Sequence, residues 1–249
     1  MKKSVLILAA VIGLATTTQA QEDTFKPEGG MNSLEITFDP TAIFNANNGG
    51  TMFGLSSIGG LNQGIKYRNW MSENMAARGT FLVGLRNFST PFVELDSDGE
   101  EKDLKNVAFE WAIQFRPGVE RHFKGTKRLS PYVGSELIIG YGANKFSSER
   151  LDTADAIVTD VVKNDMSGAS GDWYYANGLT LGIGAIAGFD YYIAKDLYLG
   201  LEINYALAYN KGNKVIREMD GLDTVETKTA SNWYINPSTM ANLKLGWNF

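Results

Sequence analysis

The sequence predicts an all-β protein, an eight-stranded antiparallel up-and-down transmembrane β-barrel with short periplasmic turns and longer extracellular loops. Three observations predict it. In the last nine residues Ala241, Leu243, Leu245, Trp247 and Phe249 alternate with Asn242, Lys244, Gly246 and Asn248, and a period of two with one apolar face is a β-strand that meets a different environment on each side. Seven further stretches share that alternation. The connections between them are short at one end and mostly long at the other, which suits a barrel whose two ends face different compartments.

The N-terminus sets the compartment. Lys2 and Lys3 precede an apolar run over residues 5–14, and small residues follow at Thr18 and Ala20. This is the pattern of a secretory signal peptide, with an apolar region too short to cross a bilayer. Residues 1–20 are therefore read as a signal peptide, 21–30 as a flexible lead-in with Pro27 and a Gly pair, and 31–249 as the barrel domain. The chain has no Cys, which excludes both a disulfide framework and a lipid-attachment cysteine. Its formal charge is −5 with a pI near 5.0, and removal of Lys2 and Lys3 leaves −7. That acidity argues against nucleic acid as a partner. No segment holds the roughly 20 unbroken apolar residues of a transmembrane helix, but a barrel strand spans with about 9 to 11 residues of which only alternate ones are apolar.

Each strand follows from its alternation. Residues 32–44 place Leu34, Ile36, Phe38, Ala42 and Phe44 opposite Glu35, Thr37, Asp39 and Thr41, with Pro40 marking a bulge. Strand two, 51–70, is diluted by Ser and Gly but recovers at Ile65 and Tyr67 against Lys66 and Arg68. A tight turn at 72–74 leads to strand three, 75–88, with Phe81, Val83 and Leu85 opposite Arg78, Thr80, Gly84 and Arg86. After an acidic, turn-rich segment (89–106), strand four sets Val107, Phe109, Trp111, Ile113, Phe115 and Val119 against Glu110, Gln114, Arg116, Gly118 and Glu120. A short basic connection, 124–130, precedes strand five, where Val133, Leu137, Ile139 and Tyr141 oppose Gly134, Glu136, Gly140 and Gly142. A polar interruption at 146–172 separates it from strand six, 173–193. A three-residue connection then leads to strand seven, 197–209, and a polar loop at 210–231 precedes the final strand.

Alternation alone does not say which face is inside, and a soluble barrel would turn its apolar face inward. Glycine decides for the membrane version: Gly84, Gly118, Gly134, Gly140, Gly142, Gly182, Gly184, Gly188 and Gly200 all fall on the polar face, and small residues belong in the narrow interior of an eight-stranded barrel. Tyr67, Trp70, Phe88, Trp173, Tyr191, Tyr209, Trp233 and Trp247 lie toward strand ends, as two interfacial girdles require.

The lumen then holds Glu35, Asp39, Glu110, Glu120, Glu136, Asp190 and Glu202 with Lys66, Arg68, Arg78, Arg86, Arg116 and Lys244. Seven acids against six bases in a narrow interior imply a mutually paired network, since an isolated buried charge costs several kcal/mol. The plain reading is a polar plug that fills the barrel. The sharper one is a narrow or gated conduit lined by the same charges. No catalytic residue, metal site or cofactor is expected: His122 is the one His, placed beside a short turn and thus toward the periplasm, and a Ser-His-Asp arrangement is disfavoured. Asp152, Asp155, Asp160, Asp165 and Asp172 lack EF-hand spacing and read as a solvated acidic face.

The terminal strand resembles the C-terminal signal of outer-membrane barrel proteins, with Leu243, Leu245, Trp247 and Phe249 as its recognition residues. The whole mature chain resembles the small-barrel superfamily of OmpA transmembrane domains, OmpX and OmpW-like proteins, in the style of the "outer membrane protein beta-barrel" proteins of Bacteroidota. The resemblance implies integral outer-membrane location, contact with outer-membrane lipid, and recognition by the barrel-assembly machinery. No OmpA-type peptidoglycan-binding domain is expected after the barrel. Three functions follow as expectations: a non-enzymatic surface barrel acting through its extracellular loops or as a subunit with envelope partner proteins, a narrow passive channel of OmpW-like kind, or an outer-membrane enzyme acting on lipid or protein.

Overall fold

The computed structural model describes residues 25–38, 64–165, 177–228 and 231–249. Among them are eleven strands: β1 (Asn32–Phe38), β2 (Gly64–Ser72), β3 (Met75–Leu95), β4 (Glu101–His122), β5 (Leu129–Leu151), β6 (Ile157–Lys163), β7 (Gly178–Ala194), β8 (Leu197–Lys211), β9 (Val215–Glu218), β10 (Val225–Thr227) and β11 (Ser231–Asn248). All pairings are antiparallel. They run β1–β2, β2–β3, β3–β4, β4–β5, β5–β7, β7–β8, β8–β11 and β11–β1, so eight of the strands form a ring without an edge. The remaining three, which an eight-strand count omits, form a ladder β5–β6–β9–β10 that leaves the ring at its extracellular end.

The residues of the terminal strand show why the ring closes. Leu34 pairs with Trp247 and Ile36 with Leu245 on the outer face, while Glu35 pairs with Gly246 and Thr37 with Lys244 on the inner one. Phe249 completes the seam, its amide donating to the Asn32 carbonyl at 2.8 Å and its carbonyl accepting from the Asn32 amide at 2.9 Å. Because the side-chain period is two, a slip of one residue would put Lys244 into lipid and Leu245 into the lumen.

On β4 the outward apolar face runs from Phe109 to Val119, roughly 25 Å after allowing for tilt, the height of an outer-membrane apolar band. Aromatics bound it. Trp111 with Tyr141 and Tyr209 with Trp233 form ring pairs at the outer end, centroids 5.7 and 5.0 Å apart, and Trp247 with Phe249 forms one at the inner end, 5.9 Å apart. Two of the expected girdle residues are placed otherwise. Trp70 shares its face with Lys66 and Arg68, is fully buried in the lumen and donates from Nε1 to Ser33 Oγ at 2.7 Å. Phe88 shares the inward parity of Arg78 and Thr80 and lies above the band. Trp173 and Pro40 lie outside the described residues, as do the signal segment, Phe44 and the first part of strand two.

The three segments expected as loops all contain strand among their described residues. β3 and β4 stay in register from Ser89↔Val107 to Leu95↔Glu101, roughly 20 Å past the lipid band at about 3.3 Å per residue. β5 continues to Leu151 against β6, and β9 and β10 occupy the third segment. Their polar and acidic composition hides this, because most of their side chains meet water and isolated buried positions such as Leu104 make no apolar alternation. The acids instead tie hairpin ends together. Asp155 accepts from the Ser97 amide at 3.0 Å and from its hydroxyl, Glu149 accepts from the Lys105 amide at 3.0 Å, and Asp160 accepts from Arg150 Nε at 2.8 Å. Asp96 and Asp152 close their own tips on the amides of Glu100 and Ala156 at 2.7 and 2.9 Å. These backbone donors hold both carboxyls below the usual aspartate range. Asparagines knit the rim below: Asn164 Nδ2 donates to the Lys214 carbonyl at 3.1 Å, Asn177 Nδ2 to the Asn164 carbonyl at 2.6 Å, and Asn213 Nδ2 to the Gly142 carbonyl at 3.0 Å.

Candidate functional site

The lumen is the candidate site. Every strand of the ring contributes to it: Glu35 from β1, Lys66 and Arg68 from β2, Arg78 from β3, Arg116 and Glu120 from β4, Glu136 from β5, Asp190 from β7, Glu202 from β8 and Lys244 from β11. Arg68 is the hub. Its Nη1 donates to Asp190 at 2.6 Å, and its Nε lies 2.7 Å from Glu35 and 2.8 Å from Glu120 in contacts that are Coulombic rather than aligned hydrogen bonds. Arg78 Nη1 donates to Glu120 at 2.6 Å and to Glu202 at 3.0 Å, and Nη2 lies 3.4 Å from Glu136. Lys66 reaches Glu202 at 2.8 Å and Glu35 at 3.6 Å, and Lys244 reaches Asp190 at 2.8 Å and Glu35 at 3.5 Å. Arg116 completes the set at 3.3 Å from Glu136. Five carboxylates and five cations sum to zero formal charge, and all but Arg116 are sealed from water.

Of the thirteen lumen charges expected from the sequence, ten meet in this cluster. Glu110 sits half-buried nearer the extracellular end, in backbone register with Arg86. Asp39 and the Arg86 side chain lie outside the described residues. The recognition residues Leu245, Trp247 and Phe249 are exposed on the outer face, and Leu243 is partly so.

The aromatics of the site were missed. Tyr132 is fully buried, donating to Glu202 at 2.6 Å while accepting from Lys244 Nζ at 2.6 Å. The Arg68 guanidinium lies 5.1 Å from the Tyr132 ring centroid, 5.8 Å from Tyr198 and 5.9 Å from Trp70, so the charges are held in a cage of π faces. Alternation carried the signal. Tyr132 has the parity of Gly134 and Glu136, Tyr198 that of Gly200 and Glu202, and Tyr192 that of Asp190. Space is made across the ladder. Gly246 stands opposite Tyr198, where a Cβ would enter the ring, and Gly188 stands opposite Tyr132, where a Cβ would lie 2.5 Å from the hydroxyl.

His122 is inside the barrel, which corrects the expectation of a periplasm-facing imidazole. It is wedged between Trp70 and Tyr132, centroids 4.5 and 4.9 Å away, with Nδ1 3.0 Å from Ser130 Oγ and Nε2 3.3 Å from Glu120. Carboxylates only accept, so Nε2 carries the proton and Ser130 donates to Nδ1. A Ser-His-Glu chain thus exists where none was expected. Its chemistry is restrained by its surroundings: Glu120 is also held by two guanidiniums, the ring has no room to turn, and Ser130 Oγ is buried. Ser130 touches a pocket of about 470 Å³ at the periplasmic mouth, walled by Lys26, Glu28, Glu73, Asn74 and Lys124. The lead-in is tied down there from Phe25 onward, Phe25 lying 4.1 Å under the Arg128 guanidinium and the Gly30 amide donating to Trp70 O at 2.7 Å. Among the described residues no group of acids and histidines is arranged to hold a metal ion.

Comparison with known proteins gives a family and two solved structures with a weak likeness. Residues 104–249 match the model of the OmpA-OmpF-like porin family. The N-terminal β-barrel domain of Pseudomonas aeruginosa OprF is 11% identical, with 90% of this chain and 100% of that one covered and a TM-score of 0.34. Ail, the attachment invasion locus protein of Yersinia pestis, is 13% identical, with 89% and 99% covered and a TM-score of 0.34. No curated protein matches. The family match spans more than half of the sequence and includes five of the ring's eight strands in whole or in large part, the terminal one among them, so the chain belongs to the OmpA-OmpF-like porin family, integral β-barrels of the outer membrane.

Proposed function

We propose that this protein is a non-enzymatic outer-membrane barrel with a closed lumen that works through its extracellular extension, as a surface-binding element or as a subunit of a larger envelope assembly. The carrying observation is the neutral cluster of five acids and five bases drawn from all eight ring strands. A sealed and fully compensated interior has no room for a hydrated solute. The fold instead places ordered structure outside the lipid band, where tip-to-tip hydrogen bonds join the β3–β4 and β5–β6 hairpins. A shape held that way is preorganised for recognition.

The test is copurification from native membranes with wild type and with a variant whose β3–β4 hairpin is cut back to a tight turn by removing residues 93–103. The proposal expects partners retained by wild type and lost by the variant, while the barrel itself still folds and inserts. Identical partner sets would count against it. A second reading, a narrow passive conduit, is favoured by Arg116, whose side chain keeps 15% exposure at the top of the cluster, so that water reaches the plug from outside.

A further inference from the structure

The lipid-facing wall is not evenly covered. Across four neighbouring strands one row of outward residues reads Val119, Ser135, Ala185, Tyr205, each paired with the next. Two small residues between two large ones leave a trough. It forms a groove of about 690 Å³ on the outer wall, flanked by Leu137 and Ile183 on the extracellular side. The next row toward the periplasm reads Arg121, Val133, Ala187, Ile203. Ala187 continues the trough downward, and Arg121 stands beside its open end.

That end is cationic. Arg121, Lys124, Lys127 and Arg128 fall within eight residues that contain no acid. Arg121, Lys124 and Lys127 are exposed, whereas Arg128 is occupied with the carbonyls of Tyr192 and Ile193. Phe123, 48% exposed on the same face as Arg121, marks the depth of the membrane interface. Glu28 and Glu73 share the lumen-side pocket with Lys124, behind this face. Residues two apart on a strand are about 6.7 Å apart, so Arg121 sits one row below the trough, the offset between a lipid phosphate and the start of its acyl chains. The Ser135 hydroxyl stands on the neighbouring strand one row above Arg121, at the level of the ester groups.

We propose that the β4–β5 hairpin and the adjoining faces of β7 and β8 form a binding site for one anionic glycerophospholipid of the periplasmic leaflet. Arg121 takes the phosphate-bearing headgroup, Ser135 donates to an ester carbonyl, and an acyl chain fills the groove over Ala185 between Val119 and Tyr205. The headgroup and chain contacts are separate observations that meet on one hairpin at lipid spacing.

The experiment is native mass spectrometry of the full mature protein released from micelles doped with equal amounts of phosphatidylglycerol and phosphatidylethanolamine. Wild type should retain phosphatidylglycerol preferentially. A basic residue near an anionic headgroup is worth about 5-fold in affinity, so Arg121→Gln should reduce that preference by about 5-fold. Ala185→Leu, which fills the trough, should lower retention of both lipids several-fold. Heat-modifiable gel migration checks that each barrel is folded, and these outward positions do not touch the lumen cluster. Equal retention of the two lipids by wild type, an unchanged preference in Arg121→Gln, or unchanged retention in Ala185→Leu would each overturn the site. The chain has no native Cys, so Ser135→Cys gives a single reporter, and its spontaneous cross-linking to a second copy in the membrane would assign the groove to self-association instead.

Discussion

Replacing Arg68 by Met removes the hub of the lumen cluster while keeping much of its volume. Three carboxylates lose a partner, at 2.7 Å for Glu35, 2.8 Å for Glu120 and 2.6 Å for Asp190. They are not equally exposed to the loss. Glu120 keeps Arg78 at 2.6 Å and Asp190 keeps Lys244 at 2.8 Å, whereas Glu35 keeps only Lys66 and Lys244 at 3.6 and 3.5 Å. The cluster moves from neutral to one uncompensated negative charge, a change that in buried pairs costs about 3–5 kcal/mol. The two other acids retain close cations, so the expected cost is about 3 kcal/mol. Glu35→Gln then restores neutrality at the site most affected, and the double variant Arg68→Met/Glu35→Gln should recover about 2 kcal/mol relative to the sum of the single changes, within the range of contacting pairs. The assay is reversible urea unfolding of the barrel in lipid vesicles, followed by tryptophan fluorescence. Additive single and double effects would refute a charge-balanced network.

Further outcomes follow from the same geometry. Gly246→Ala drives a Cβ into the Tyr198 ring at the closing seam and should cost about 1–3 kcal/mol in the same unfolding assay. Deletion of Phe249 should lower the amount of protein inserted in the outer membrane more than Asn248→Ala does, whereas Asn248→Ala removes the acceptor for Ser33 Oγ at 2.7 Å and should cost about 1 kcal/mol once folded. His122→Ala empties the space between Trp70 and Tyr132 and should cost about 2 kcal/mol or more. Asp96 and Asp152, outside the lipid band, have carboxyls held below the usual aspartate value by backbone donors, those of Glu100 and Ala156 first. Their stabilisation is complete above about pH 3.9 and is lost as pH falls through the lower folded values. Hydrogen exchange at residues 94–103 and 150–158 should accelerate relative to the barrel at pH 3 but not at pH 6.

The wall of the barrel was legible because lipid and lumen impose opposite demands on successive residues. Leu34, Ile36, Leu243 and Leu245 declare themselves outward, and Glu35 and Lys244 inward, with no knowledge of partners. Two kinds of feature were not legible for physical reasons. In the extension most side chains of β3 and β4 beyond Ser89 meet water and only isolated apolar positions such as Leu104 are buried, so strand and loop have nearly the same composition there, and only the ladder distinguishes them. In the lumen Trp70, Tyr132, Tyr192 and Tyr198 obey the inward parity, but Trp70 was assigned to the interfacial girdle and the three tyrosines were not placed. What settles their direction is a non-local pairing, such as Gly246 opposite Tyr198 and Gly188 opposite Tyr132, which a single sequence does not display. The closeness of Ser130, His122 and Glu120 is likewise a product of the β4–β5 register, His122 standing beside Tyr132.

The proposed closure of the lumen by a neutral, mutually paired cluster has an electrical signature, read by single-channel recording of the purified protein in a planar lipid bilayer. The wild-type barrel should insert without steady conductance steps. Steady, reproducible openings of the wild-type protein would contradict the closed lumen and favour the conduit.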